Sequence, residues 1–257
     1  MDINLLVMGV GNSRLALGVF AEGELVHSQR ISHGQRDEWP DAIRQAWDRL
    51  GHEGDRAVVA AGVNPAVNSA LEEIVHRQTD QTIQWVGEQI DLPIEVRTRN
   101  PAQTGVDRVL NVAAAFEQMG KACIVVDAGT AVTVDCCNDA GEFLGGVIAP
   151  GVSMMLEALR EKTAGIGPVA FSVPSGAVGD STEAAVSAGI YHAIRGLVKE
   201  TAESFATLLG AWPEIIATGG DAQILFDGWE LIHAIAPDLN LYGIALAYAE
   251  HHLKHED

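Results

Sequence analysis

The sequence predicts an α/β fold of two similar domains, each a mixed sheet flanked by helices, with a cleft between them. Three observations carry that expectation. The chain repeats itself: Leu6-Val7-Met8-Gly9-Val10-Gly11-Asn12 lies over Ile124-Val125-Val126-Asp127-Ala128-Gly129-Thr130 at an offset of 118 residues, and the same offset brings Gly23-Glu24-Leu25-Val26 onto Gly141-Glu142-Phe143-Leu144 without a gap. Each half opens on short apolar runs separated by glycine turns, the pattern of a three-stranded antiparallel meander. After each meander the apolar spacing turns helical, at Trp39, Ile43, Ala46, Trp47 and Leu50 in the first half and at Met155, Leu156 and Leu159 in the second.

In each meander the first apolar strand enters a glycine turn. The second strand spans Leu15 to Phe20 in one half and Val132 to Cys136 in the other. Turns at Ala21-Glu22-Gly23 and Asn138-Asp139-Ala140-Gly141 lead into the third strands. Beyond the meanders, Val58 to Gly62, Ile83 to Val86 and Ile215 to Ala217 read as short buried strands. Ala66 to Arg77, Arg108 to Met119, Thr182 to Leu209 and Gly243 to Leu253 read as helices, the third broken or bent. With no low-complexity tract or long linker, the boundary is expected near Gly120, giving domains 1–119 and 120–257.

Composition removes several classes of function. The 257 residues are 47% hydrophobic, enough for a sizeable core and too apolar for a disordered chain. Sixteen basic against thirty-five acidic side chains give a formal charge of −19, a field that repels nucleic acid and anionic lipid. No stretch gathers the four lysines or the arginines into a basic arm. The longest nearly uninterrupted apolar run, Leu241 to Ala249, is far below the ~20 residues that span a bilayer. Asp2 stands where a signal peptide would be basic and the first cation is Arg14, so a cytoplasmic protein is expected. Cys123, Cys136 and Cys137 lack zinc or redox spacing and read as reduced core residues. His251 and His255 are an i, i+4 pair at a charged chain end and read as a solvated tail rather than a metal site. The five tryptophans are scattered, without the basic interleaving of a base-stacking platform.

The chemistry gathers at glycine turns. In Gly9-Val10-Gly11-Asn12-Ser13 the third glycine of a dinucleotide fingerprint is replaced by Arg14, and a strand follows where a helix should start, so that reading fails. No G-x-x-x-x-G-K-[S/T] loop occurs. What remains is a glycine hairpin whose backbone N–H groups, with the Asn12 and Ser13 side chains, could cradle phosphate; an ordinary hairpin is the alternative. Asp127-Ala128-Gly129-Thr130 repeats the hairpin and adds a carboxylate, and Thr218-Gly219-Gly220-Asp221 supplies a third small-residue turn. Two phosphate hairpins and a glycine junction against which an adenosine can lie resemble the actin-like ATPase superfamily, whose domains are ribonuclease H-like.

A longer series of motifs narrows the resemblance. Asn100-Pro101, Gly105-Val106-Asp107-Arg108, Asp127-x-Gly129-Thr130-Ala131 and Gly145-Gly146-x-Ile148-x-Pro150-Gly151 come first. Lys162-Thr163-Ala164, Gly179-x-Ser181-Thr182, Ser187-Ala188-Gly189-Ile190, Thr218-Gly219-Gly220 and Pro237-Asp238-Leu239-x-Leu241-x-Gly243 follow. In that order, and over nearly the whole chain, they resemble type III pantothenate kinase. Taken by itself, an aspartate at a helix start can accept a proton from a substrate hydroxyl and a neighbouring arginine can bind a carboxylate or phosphate; an acidic residue favouring the helix dipole beside a surface arginine is the bland alternative.

The resemblance implies ATP-dependent phosphorylation of pantothenate to 4′-phosphopantothenate, the first step of coenzyme A synthesis, by a cytoplasmic homodimer. Gly105, Val106, Asp107, Arg108 and Thr182 would bind pantothenate, with Asp107 as general base and Thr182 reaching across the dimer. Gly9, Gly11, Asn12, Ser13, Arg14, Gly129, Thr130, Gly219 and Gly220 would hold ATP, Asp127 a monovalent cation, potassium or ammonium, and the nucleotide would carry magnesium. The resembled family's first hairpin begins D-x-G-N-[S/T], and both that pattern and the internal repeat put Gly9 where the aspartate belongs. Asp2 is too early in the strand to replace it. Two expectations therefore stand side by side: an active kinase, and a catalytically impaired paralogue that binds nucleotide or pantothenate in a regulatory role. An older description of some family members as transcriptional accessory factors fits poorly with a charge of −19. Arg97 and Arg99 stand where the family often has an aromatic residue lining the substrate pocket.

Overall fold

The computed structural model describes residues 4–51 and 55–255. Asp2 lies outside the described residues, as does the side chain of His255. The chain divides into two compact units, Met1–Glu117 with Asp238–Asp257, and Gln118–Pro237. The last helix therefore belongs with the first unit, whereas the sequence grouped it with the second half.

The first unit opens with β1 (Asn4–Val10), β2 (Arg14–Ala21) and β3 (Glu24–Ser32). Helix α1 (Trp39–Arg49), β4 (Arg56–Gly62), α2 (Pro65–Thr79), β5 (Ile83–Trp85) and α3 (Val106–Met119) follow. Its sheet has the order β3-β2-β1-β4-β5, with β1 antiparallel to β2 and parallel to β4. Successive side chains of a strand point to opposite faces, and both faces of β1 are covered, so its sequence is a continuous apolar run. Leu6, Met8 and Val10 pack with Trp39, Ile43 and Trp47 of α1 and Leu71 and Val75 of α2. Leu5 and Val7 face Leu110 of α3. They also meet Leu241, Ile244, Ala247 and Tyr248 from the final helix of the chain, Leu239–His255.

The second unit repeats the plan with β6 (Cys123–Ala128), β7 (Ala131–Cys137) and β8 (Phe143–Pro150). Then come α4 (Val152–Lys162), α5 (Thr182–Leu209), β9 (Glu214–Thr218), α6 (Ala222–Phe226) and β10 (Ala234–Ile235), and the chain returns to the first unit as α7 (Leu239–His255). The sheet order is β10-β9-β6-β7-β8, with β6 antiparallel to β7 and parallel to β9. Both expected meanders are present, and the turn glycines Gly23 and Gly141 both adopt positive φ, at 84° and 77°. The repeat is less uniform than the gapless alignment implies. Val10 pairs with Leu15 in one hairpin and Ala128 with Val132 in the other, so the second hairpin is one residue tighter. The longer turn after β7, Asn138 to Gly141, restores the offset before β8.

Helix α5 is one continuous run from Thr182 to Leu209, without the break that was one of the two forms expected. Val186, Ile190, Ile194, Val198 and Ala202 are buried at four-residue spacing, and this stripe outweighs the poor helix propensity of the exposed Gly189 and Gly196. The ends are well defined. Ser181 accepts a hydrogen bond from the Ala184 N–H, and Gly210 closes the helix at φ 76°. The three cysteines are buried, with Cys123 and Cys137 sulfurs 3.4 Å apart across the β6–β7 ladder.

The Gly243 of the last sequence motif has a packing role. A Cβ there would stand 2.2 Å from the Leu110 carbonyl oxygen, so α7 can approach the α3 backbone only without a side chain at this point. Gly243→Ala is expected to destabilise the protein by about 1–3 kcal/mol through overpacking. Gly196 occupies an exposed helix position where a Cβ would meet nothing within 4 Å. Gly196→Ala is expected to add about 0.5–1 kcal/mol. Urea unfolding of the two variants checks both signs.

Candidate active site

In the first unit the chemistry centres on the start of α3. Gly105 precedes the helix, and its carbonyl accepts from the N–H groups of Arg108 and Val109 at 3.1 and 3.4 Å. Asp107 lies in the first helical turn, and its Oδ1 accepts from the Arg108 N–H at 2.9 Å. A Cβ at residue 105 would come within 2.7 Å of that same oxygen, so glycine leaves the room in which the carboxylate turns back over the helix end. Burial raises the Asp107 carboxyl above its ordinary range. The Arg108 N–H bond and the Arg108 charge oppose this by favouring the ionised form. The result is a part-buried carboxylate beside a guanidinium at the positive end of a helix, a place suited to take a proton from a hydroxyl and hold an anionic group.

The first hairpin is tied down on three sides. Gly11 N–H donates to the Arg14 carbonyl at 3.1 Å, His33 N–H to the Ser13 carbonyl at 2.8 Å, and Val63 N–H to the Val10 carbonyl at 3.2 Å. Asn12, Ser13 and Arg14 are exposed at its tip, in reach of a ligand. Gly9 is buried one residue before the end of β1. Asn240 of α7, an unspecified position in the Pro237-to-Gly243 motif, faces it: Asn240 Nδ2 donates to the Asp107 carbonyl at 3.3 Å and to Asn111 Oδ1 at 3.2 Å. Neither Asn240 nor Asn111 stands out in the sequence. A buried asparagine one helical turn after Asp107 is the only signal for either, and it gains meaning once α7 is seen to pack there.

In the second unit Asp127, Gly129, Thr130 and Gly219 are brought together. The parallel pairing of Asp127 with Thr218 sets the ends of β6 and β9 side by side. A Cβ on Gly219, whose φ is +96°, would lie 2.5 Å from Asp127 Oδ1 and 2.3 Å from the Ala128 carbonyl, and one on Gly129 would lie 3.8 Å from the same carboxylate oxygen. A carboxylate walled by two glycine backbones can share its outer side with a cation, and no side chain at 129 or 219 blocks the approach. Asp221 N–H donates to the Ala128 carbonyl at 2.9 Å, fixing the Gly219-Gly220 turn against β6. Gly151 braces the hairpin from behind: its N–H donates to the Thr130 carbonyl at 3.0 Å, and a Cβ there would fall 2.1 Å from the Gly129 carbonyl.

Thr182 is exposed as the first residue of α5, and Gly179 ahead of it packs so closely on the helix that a Cβ would stand 2.3 Å from the Ala185 nitrogen. Arg97 pairs with Glu95 at 2.9 Å on an exposed segment, and Arg99 is exposed nearby. Among the described residues no group of three or more His, Cys, Asp or Glu is placed to enclose a metal ion. No helix among the described residues is long and apolar enough to cross a membrane.

A family model described as type III pantothenate kinase matches residues 5–204. A type III pantothenate kinase of Solibacter usitatus (strain Ellin6076) is 32% identical over 253 residues, spanning 96% of this chain and 97% of that protein. Component A of the (R)-2-hydroxyglutaryl-CoA dehydratase of Acidaminococcus fermentans matches in structure with a TM-score of 0.58 at 16% identity, over 99% of this chain and 100% of that one. MreB5 of Spiroplasma citri bound to ADP matches with a TM-score of 0.51 at 11% identity, over 98% and 97%. At such identities the structural likeness establishes the fold, that of the actin-like ATPases. Sequence identity over almost the full length goes further: this chain belongs to the type III pantothenate kinase family.

Proposed function

We propose that the protein transfers the γ-phosphoryl group of ATP to the hydroxyl of pantothenate, giving 4′-phosphopantothenate and ADP in the first step of coenzyme A synthesis. The observation that carries this reading is the Asp107 carboxylate, raised in pKa by burial and held between Gly105 and the Arg108 N–H at the start of α3. Family membership supplies the substrate. Asp107 accepts the hydroxyl proton as the new O–P bond forms and the bond to the ADP leaving oxygen breaks. Arg108 holds the pantothenate carboxylate or the transferring phosphoryl group, and Gly105 and Val106 line the approach. Gly11, Asn12, Ser13 and Arg14 in the first hairpin, with Gly129 and Thr130 in the second, bind the phosphates, and the Gly219-Gly220 turn receives the adenosine, whereas Gly9 is buried inside the β1 ladder and shapes the hairpin from behind.

Asp127 holds a monovalent cation, potassium or ammonium. Magnesium on the nucleotide supplies neutralisation of phosphate charge when bound. Thr182, at the exposed start of α5, contacts pantothenate across a homodimer working in the cytoplasm. The absence of a carboxylate at residue 9 keeps one further reading open, a catalytically impaired relative that binds the same ligands as a regulator.

Purified protein with ATP, magnesium and potassium is expected to release ADP in a pantothenate-dependent way. Asp107→Asn should lower kcat by about 10²–10⁴-fold, the usual contribution of a general base. Pantothenate-independent or absent release, with ATP or pantothenate still bound in calorimetry, would favour the regulatory reading.

The raised carboxyl pKa of Asp107 gives activity and stability opposite pH dependences. Turnover needs the ionised base, so kcat/KM rises with pH through a midpoint above the ordinary carboxylate value. For stability, the folded pKa is raised above the unfolded one, so the contribution of Asp107 is present at low pH and is lost as pH rises through the folded value. Asp107→Asn should therefore raise the thermal midpoint at neutral pH while removing turnover, and a scan from pH 4 to 8 should show the gain shrinking toward acid.

A further inference from the structure

Gly9 lies on the face of β1 that α3 and α7 cover, and the space beside it is filled. A Cβ built on Gly9 would stand 2.7 Å from Asn240 Oδ1 and 3.8 Å from its Cγ. The other end of that carboxamide points the opposite way, with Nδ2 3.3 Å from the Asp107 carbonyl and 3.2 Å from Asn111 Oδ1. A backbone carbonyl can only accept, so the atom facing Asp107 is the NH₂ group and the atom facing residue 9 is the amide oxygen. Asn111 is 2% exposed, so this contact is in the protein interior. Both groups met by Nδ2 are acceptors, so the position calls for a donor, and a carboxylate at 240 would set an acceptor against the Asp107 carbonyl.

We propose that Asn240 is a positioning residue for Asp107, and that Gly9 and Asn240 act as one coupled pair. The missing side chain on β1 is what lets α7 bring a carboxamide to the first turn of α3. Its donors hold the backbone of the general base, and its oxygen stands as a neutral acceptor beside the end of the first hairpin, where the repeat has a carboxylate in the other half. Gly9 is then an accommodation to Asn240 rather than a simple loss. The role toward Asp107 rests on the kinase reading; the coupling of residues 9 and 240 does not. One consequence departs from simple repair: an aspartate at residue 9 displaces Asn240 instead of completing the hairpin.

A double-mutant cycle tests the pair. Gly9→Ala is expected to lower the thermal midpoint by about 2–4 °C when Asn240 is present and by much less in an Asn240→Ala background. Asn240→Ala should lower kcat about tenfold with the KM values for ATP and pantothenate within about twofold, because misplacing a base penalises the reacting geometry more than binding. Gly9→Asp should impair turnover, and Gly9→Asp with Asn240→Ala should recover about tenfold of it. Should Asn240→Ala not fold, Asn240→Ser completes the same cycle.

Additive thermal shifts overturn the pairing, whatever the activity. A change in the thermal midpoint with kcat untouched overturns the positioning role and leaves the kinase reading standing. Absence of pantothenate-dependent turnover in the unaltered protein removes the kinase reading and the positioning role with it, and the thermal cycle still decides whether the two residues are coupled.

Discussion

The parallel pairing of β1 with β4 and of β6 with β9 is the constraint from which the candidate site follows. Parallel neighbours end on the same side of a sheet, and each of these central strands also has an antiparallel partner on its other flank. The chain therefore leaves the carboxyl end of each central strand by a tight hairpin, while the parallel neighbour ends beside it and continues into a helix. That is the place in an open α/β sheet where backbone amides are exposed without a strand to pair them. In the second unit the ladder from Cys123–Glu214 to Asp127–Thr218 delivers the glycine turn at 219 directly against Asp127. The covered face of β1 does the same in the first unit by bringing α3 and α7 onto one side, which sets Asn240 Nδ2 within hydrogen-bond distance of the Asp107 carbonyl and of Asn111 Oδ1.

A chain of formal charge −19 that binds an anionic nucleotide must oppose its own field locally. Backbone N–H groups do so without adding mobile charge, because they are fixed dipoles already oriented by the sheet. The Gly11 and Gly129 amides are bonded within their own turns, to the Arg14 and Ala131 carbonyls, and the first turn of α3 offers the positive end of a helix beside Arg108. The same economy explains why Asp107 carries a raised pKa: it is desolvated by packing while its compensating hydrogen bond comes from the next residue's N–H and not from a fully buried cation. In the proposed reaction Asp107 is the base, and burial biases it toward the protonated form, the direction of that proposed task.

Much of this was legible in the sequence because it depends on local patterns. Alternating apolar residues, glycine turns and the 118-residue offset specify two meanders, and Asp107-Arg108 at a helix start is visible as a motif. The misreadings came where tertiary contacts override local propensity. Gly189 and Gly196 argue for a break in α5, yet a buried stripe at four-residue spacing keeps it whole. Helix α7 follows the second half in sequence and packs with the first, because Gly243 permits its approach to α3. Asn240 was invisible for a related reason: a polar residue between two motif leucines has no meaning until its helix is docked.

The two halves then compare as a matter of volume rather than of motif. At the end of β6 the strand carries the oxygen-bearing side chain, Asp127, and the neighbouring turn carries the glycine, Gly219, with a Cβ position only 2.5 Å from the carboxylate. At the end of β1 the assignment is exchanged: the strand carries the glycine, Gly9, and the neighbouring helix carries the oxygen, on Asn240, 2.7 Å from the missing Cβ. In both halves one member of a facing pair has no side chain so that the other can place an oxygen at the strand end. Gly9 thus departs from the repeated sequence while keeping its packing rule, and the chemical difference between the halves reduces to charge: a carboxylate in one, an amide in the other. An amide oxygen cannot neutralise a metal, but its partner NH₂ group can restrain a backbone carbonyl, which a carboxylate cannot do. On the proposed reading, the first half has a geometric contact where the second has a charge, and that contact is directed at the residue proposed to take the proton.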